Sequence, residues 1–287
     1  MNGSDIAILS SLLEGPLTLT EVAHAVGKSL PFVSERTKAM EAMRLVERRR
    51  AGNSVKVGFS QSRSGRELRL LMAEGHDIGL ARVLTGAGLT ILPFLLEPGS
   101  TLSGLRVATG FSPPTVRGRI RLWRGMGLLH LDRPSRRYSI QPQLPRLIAF
   151  VSSYTIERNH RILDLVAPAG VIVWQGRDAF LMTSRREISA PGFVPAGVSR
   201  LEQLGYDITS SRHCYLHRQG GAQVSEEEAL VQALLIDPDN PRPRRMVRRA
   251  LEEGQVTVPG LLAKAEVYGM RDGLRAMVPM EGGRADG

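Results

Sequence analysis

Four arginines fall within eight residues at Arg117, Arg119, Arg121 and Arg124. A guanidinium is planar and permanently charged, so it can pair two parallel donors with guanine O6 and N7, or with two phosphate oxygens. Arg117 and Arg121 lie one helical turn apart and would share a face, the placement needed to read base edges. Arg48, Arg49, Arg50 and Lys56 surround the turn residues Gly52 and Asn53, and Arg133, Arg136 and Arg137 surround Pro134 and Ser135. Cations on such tips suit phosphate contacts, which position a duplex without specifying its sequence. The formal charge of +10 is unevenly spread: residues 1–154 hold 21 Lys/Arg against 11 Asp/Glu, whereas residues 155–287 hold 17 of each. A basic first half with a neutral second half predicts a polyanionic partner held partly by counterion release, DNA or RNA before acidic lipid.

Other groups with chemical potential are sparse. Asp237 and Asp239 stand two apart in a proline-rich loop, where a metal contact and ordinary turn capping are both open, the second being the commoner use. His213 and His217 would share one face of a strand, but too few further ligands accompany them for a metal site, and surface histidines are the reading preferred. The single cysteine, Cys214, excludes an internal disulfide and a cysteine-based metal cluster, and reads as a small buried hydrophobe. Arg242, Arg244, Arg245, Arg248 and Arg249 form a basic run that could extend a DNA surface or bind an acidic partner, and with Glu252 and Glu253 following it a solvated helix is equally open. No phosphate-loop, dinucleotide, zinc-protease or nucleophile-elbow motif is present. The chain is therefore expected not to be an enzyme and to need no cofactor or metal.

The elements that must position the arginines emerge from an internal repeat. Leu12-Leu13-Glu14-Gly15-Pro16-Leu17-Thr18 is echoed by Leu95-Leu96-Glu97-Pro98-Gly99-Ser100-Thr101 at an offset of 83. The same ungapped offset pairs Val22 with Leu105, Gly27 with Gly110, Ser29 with Ser112, Pro31 with Pro114, Val33 with Val116, Arg36 with Arg119 and Met43 with Met126. Each copy reads as an apolar helix (Asp5 to Glu14; Thr90 to Glu97) and a second helix capped by Thr18 or Thr101 and closed by glycine. A third helix follows Ser29 or Ser112, both favourable N-caps. Val116, Ile120, Trp123 and Met126 form the buried stripe of the second copy's third helix, opposite the arginines. In the first copy the stripe is Val33, Thr37, Met40 and Met43, and the outer face is Ser34, Glu35, Arg36 and Lys38. Hairpins then flank the basic tips, and helices from Arg63 to Ala73 and from Leu144 to Tyr154 close the two copies.

This order over roughly residues 4–154 resembles the winged helix-turn-helix superfamily, and Ser29 to Val46 and Ser112 to Leu129 resemble recognition helices of bacterial and archaeal repressors. The resemblance implies that the third helix enters the major groove while the hairpin reaches a phosphate strand or the adjacent minor groove. Carried onto this chain, base reading falls to Ser112, Thr115, Arg117, Gly118 and Arg121, with Ser34 and Lys38 from the first copy. Phosphate contact falls to Arg48, Arg49, Arg50, Lys56, Arg119, Arg133, Arg136 and Arg137. Winged helices also dock proteins, and that reading stands beside the first, most strongly for the first copy, where Glu35 would face phosphates.

From Thr155 the pattern becomes α+β. A hairpin is predicted at Val171–Trp174 and Ala179–Met182, a helix at Ser199–Leu204, and short strands at Tyr206–Thr209 and His213–His217. Helices are predicted from Ser225-Glu226-Glu227-Glu228, a capping box, through Leu235, and at Arg244–Glu253 and Val258–Tyr268. The Ser-Glu-Glu-Glu-Ala-Leu-Val-Gln-Ala-Leu-Leu helix and the strands before it resemble the C-terminal part of abortive-infection antitoxin regulators. The expected fold is mainly α with α+β: winged helix-turn-helix domains at 1–76 and 77–154, and a small α+β domain at 155–287 for dimerisation, sensing or partner binding. The longest apolar run, Leu89 to Leu96, is too short to span a bilayer, and residues 1–5 lack a signal-peptide pattern, so a cytoplasmic location is expected. The function expected is a sequence-specific duplex-DNA-binding transcriptional regulator of antitoxin-like type, acting as a homodimer or with a protein partner on its C-terminal domain, with a protein-docking module as the alternative and a nucleotide- or RNA-modifying enzyme third.

Overall fold

A computed structural model describes residues 1–74, 79–177, 179–218 and 222–277. The fold is mixed, with helices predominating and, among the described residues, three small antiparallel sheets. Its contacts divide the chain into two compact units, Met1–Asn159 and His160–Gly287. The boundary expected at 76/77 lies outside the described residues, and the one expected after Tyr154 falls inside a single helix, Pro145–Val166. That helix runs on because Glu157 still belongs to the first unit, accepting hydrogen bonds from the Ser64 backbone amide at 3.0 Å and from the Ser64 hydroxyl.

The first unit opens with α1 (Gly3–Ser11), β1 (Leu17–Thr18), α2 (Leu19–Val26) and α3 (Leu30–Ala42). Strands β2 (Val46–Ala51) and β3 (Ser54–Phe59) and helix α4 (Arg63–Glu74) follow. The first helix starts and ends earlier than its apolar pattern predicts. Asn2 caps the Asp5 amide at 3.0 Å, Asp5 accepts from the Asn2 amide at 2.7 Å, and the helix stops before Leu12. Strand β1 joins the hairpin, giving the order β1-β3-β2, with Leu17 opposite Val57 and Arg49 opposite Lys56.

Beyond the short helices α5 (Leu80–Leu84) and α6 (Gly88–Ile91) the second repeat runs through α7 (Leu102–Thr109) and α8 (Pro113–Gly125). It continues through strands β4 (Leu129–Asp132) and β5 (Arg137–Ile140) into α9 (Pro145–Val166). The offset of 83 holds in space to the residue: α2 maps onto α7 and α3 onto α8, each with the same first and last positions. Gly27 and Gly110 close the second helices with φ of 63° and 69°, where an L side chain would be strained. The second position after the third helix is also left-handed in both copies, but holds Arg44 in one and Gly127 in the other. The helix expected at Thr90–Glu97 is instead a single turn of α-helix passing into a 3₁₀ turn at Leu92–Leu95, since Pro93 lacks the amide that would continue the ladder. The second copy's equivalent of β1 shrinks to one bridge, Ser100 to Tyr138. Both repeats share one continuous core, in which Trp123, Phe150, Ile8, Leu9, Met40 and Leu68 are fully buried.

The second unit has a sheet of β6 (Val171–Gln175), β7 (Ala179–Ser184), β8 (Phe193–Pro195) and β9 (His213–Arg218), in the order β6-β7-β9-β8. Its helices are α10 (Gly197–Gln203), α11 (Glu226–Ile236), α12 (Pro241–Glu252), α13 (Val258–Val267) and α14 (Arg271–Met277). Tyr206–Thr209 forms no strand: Ile208 is buried from a loop, and the Tyr206 hydroxyl donates to Glu226 and, at 3.0 Å, to Gln255. The Ser225 capping box is one-sided. Ser225 accepts from the Glu228 amide at 3.3 Å, but the Glu228 carboxylate turns into the core. There it accepts from Tyr268 at 2.7 Å and pairs with Arg218, and Gln232 donates to Tyr268 at 2.6 Å. Burial, with the Glu228 carboxylate second, raises the Tyr268 pKa and keeps the phenol a donor. Cys214 is buried, and that burial pushes its thiol up to about 11.

Candidate nucleic-acid interface

Helix α8 is built to hold one face inward and present the other. Val116, Ile120 and Trp123 are buried, and the Trp123 indole donates to the Arg82 carbonyl at 3.4 Å. The opposite face carries Thr115, Arg117, Gly118, Arg121 and Arg124, all exposed. Arg117, Arg121 and Arg124 make no hydrogen bond or ion pair to any described residue. They converge on a recess of about 530 Å³ whose other walls include Leu102, Ile120 and the hairpin residue Tyr138. Three uncompensated guanidiniums beside a concave surface attract a polyanion strongly.

Gly118 sits mid-helix between Arg117 and Arg121, and a Cβ there would meet nothing within 4 Å. Packing does not call for a glycine at this position, and in a helix it costs roughly 0.5–1 kcal/mol relative to alanine. An exposed glycine in the arginine face leaves room for close approach by a ligand.

Several expected site residues sit differently. Arg119 is half-buried: its Nη1 donates to the Arg82 carbonyl at 2.9 Å, so it ties α8 to α5, an engagement within the protein that its expected phosphate contact did not include. Its repeat partner Arg36 also turns inward, donating through Nε and Nη2 to both carboxylate oxygens of buried Asp5, at 2.7 and 2.6 Å. The hydrogen bond to Asp5 is the main reason its pKa is raised. The shared arginine of the repeat is thus a clamp, not part of the outer face. Ser29 and Ser112 occupy N-cap backbone positions but make no side-chain cap; the Ser112 hydroxyl instead pairs with Thr115 Oγ1 at 2.9 Å.

In the first repeat the equivalent face is largely engaged within the protein. Ser34 accepts from the Arg48 guanidinium at 3.3 Å, Glu41 accepts from the Arg48 amide at 3.0 Å, and Lys38 is exposed. On the first hairpin Arg49 pairs with Glu47 at 2.9 Å, while Arg50 and Lys56 are exposed. On the second hairpin Arg133, Arg136 and Arg137 are all exposed around a turn that Asp132 braces by accepting from the Ser135 amide at 3.3 Å. Arg136 adopts φ of 55° there.

No protein-family model matches the chain, and no curated protein matches its sequence. The first unit holds the whole basic surplus, since the second, from His160 on, has 16 Lys/Arg and 16 Asp/Glu. Arg124 and Tyr138 line the recess without having been expected as contact residues. Arg124 had a signal, lying seven residues after Arg117 on the same helical face, whereas Tyr138 reaches the recess only because the hairpin folds back against α8.

Among the described residues no group of three His, Cys, Asp or Glu side chains is placed to hold a metal ion. Asp237 accepts from the Asn240 side chain at 3.0 Å, the turn-capping role. His217 stacks on Phe180 with ring centroids 4.8 Å apart. No described helix is long and apolar enough to cross a membrane.

Proposed function

We propose that the chain is a sequence-reading duplex-DNA-binding regulator, whose first unit is a pair of winged helix-turn-helix copies and whose second copy does the reading. The observation that carries this reading is the exposed, uncompensated set Arg117, Arg121 and Arg124 on α8, with Gly118 among them and the basic hairpin tip of Arg133, Arg136 and Arg137 following. On this reading α8 lies in the major groove, with Arg117 and Arg121 donating to guanine edges, while Arg124 and the hairpin arginines contact phosphates. The first copy supports the second through the shared core and adds non-specific attraction through Arg50 and Lys56. The second unit, neutral overall, is given the regulatory role.

The test is fluorescence-anisotropy binding to duplexes selected from a random pool, measured across salt concentration. Wild type should select a sequence and lose affinity steeply with salt, log K falling by about 0.9 per phosphate contact for each tenfold rise. Arg117→Ala with Arg121→Ala should lose selectivity. Absent binding, or binding indifferent to the double substitution, overturns the reading and favours winged helices that dock proteins.

A further inference from the structure

Helix α12 carries the basic run of the second unit, and its arginines divide between two sides. Arg242, Arg245 and Arg249 line one groove with Tyr206, and Arg249 is neutralised by Glu253. Arg244 and Arg248, four residues apart, line a different cavity of about 770 Å³. Buried Leu234, Val247, Val256 and Leu274 face that cavity, with Leu251 and Met277 half-buried beside them. Its volume is that of a small-molecule site, and its walls are predominantly apolar.

The charged groups of the cavity lie along one stripe of α12: Arg244, then Arg248, then Glu252, each one turn further on. Arg244 donates to the Pro238 carbonyl at 2.7 Å, which fixes its guanidinium at one end. Arg248 makes no hydrogen bond or ion pair to any described residue, and no ion pair joins it to Glu252. A largely apolar cavity bordered by exposed Arg248, which has no ion-pair partner among the described residues, beside tethered Arg244 and one turn before Glu252, favours an anion on the Arg244–Arg248 side.

We propose that this cavity binds a small amphipathic acid, an acyl or aryl carboxylate whose head pairs with Arg248 and whose apolar body lies against Val247, Leu251, Val256 and Leu274. Calling that acid the effector of a DNA-binding regulator rests on the function proposed above; binding itself does not. Octanoate serves as the probe, and its uncharged counterpart octan-1-ol as the control.

Isothermal titration of the full chain with octanoate, with no DNA present, should give saturable one-to-one binding. Octan-1-ol should bind on the order of tenfold more weakly, and Arg248→Gln should weaken octanoate by a similar factor, the scale of one charge-assisted hydrogen bond. Ala276→Trp, a substitution at an exposed position lining the cavity, should fill it and abolish binding. No saturable heat, equal binding of acid and alcohol, or binding that survives Ala276→Trp each overturns the proposal. Because DNA is absent, these results stand whether or not the first unit reads a sequence; adding the selected duplex afterwards tests the coupling separately.

Discussion

The two repeats place Ser34 and Arg117, Lys38 and Arg121, and Glu41 and Arg124 at matching positions of α3 and α8, yet only the second set is uniformly basic and unpartnered. Helix bounds, glycine closures and the inward arginine are common to both copies, because each of these maintains the local fold. What differs is the outer face, which packing leaves unconstrained. In the first copy that face is partly consumed by Arg48, which ties α3 to the hairpin through Ser34 and Glu41. In the second it is left open. An internal duplicate thus supplies its own control: features that recur report folding, and features on one copy alone report a use.

The largest effect that would test this division concerns the inward arginines. Arg36→Ala strands the fully buried Asp5 carboxylate and should destabilise the first unit by about 3–5 kcal/mol. Arg119→Ala removes a hydrogen bond to a carbonyl, and should cost only about 1 kcal/mol. Chemical denaturation of each variant checks the pair; equal losses would mean that the clamps are not distinguished by their partners.

Next in size are the outer faces. Removing Arg117 and Arg121 should each weaken the selected duplex by about 1–3 kcal/mol, measured by anisotropy at fixed salt. Ser34→Ala with Lys38→Ala should change affinity by less than a single arginine loss and leave sequence preference intact. If the two double variants were equivalent, both copies would be readers and the asymmetry would lose its meaning.

A smaller and opposite-signed outcome is expected at Gly118. Gly118→Ala should raise stability by roughly 0.5–1 kcal/mol, since the methyl enters open space on a helix. The same variant should weaken duplex binding; a gain in stability without any change in binding would reduce Gly118 to an incidental helix flaw.

The smallest effect separates the two second-helix caps by pH. Thr18 caps the Glu21 amide at 3.2 Å, and Glu21 accepts from the Thr18 amide at 2.7 Å, whereas Thr101 caps Gly104 at 3.0 Å with no carboxylate in return. The hydrogen bond from the Thr18 backbone, chiefly, holds the Glu21 carboxyl below its ordinary value of 4.5. A depressed carboxylate contributes stability above its unfolded value, and that contribution is lost as pH falls through the folded one. Acidification from neutral pH should therefore reduce wild-type stability more than that of Glu21→Gln in the window below 4.5. Parallel pH profiles for the two would show that the reciprocal cap adds nothing.

Much of this was legible beforehand. The ungapped offset of 83, the Thr18 box, the closing glycines and the stripe Val116, Ile120, Trp123 all lie in local spacing, and local spacing sets helix bounds. Less legible were elements decided by distant partners. Strand β1 is two residues long and exists only because β3 offers it a ladder, and Tyr206–Thr209 is drawn off as a loop by Glu226 and Gln255. The Ser225-Glu228 pattern signals a capping box, but a buried tyrosine and Arg218 compete successfully for the carboxylate.

What the sequence determined by itself is the repeat, the segregation of positive charge into the first half and the helical face shared by Arg117, Arg121 and Arg124, because periodicity and net charge are properties of order along the chain. Tertiary structure alone decided which arginines are available. Arg36, Arg48 and Arg119 look in sequence like their exposed neighbours, and only the positions of Asp5, Ser34 and the Arg82 carbonyl, brought near by folding, engage them within the protein, while Arg117, Arg121 and Arg124 find no such partner among the described residues.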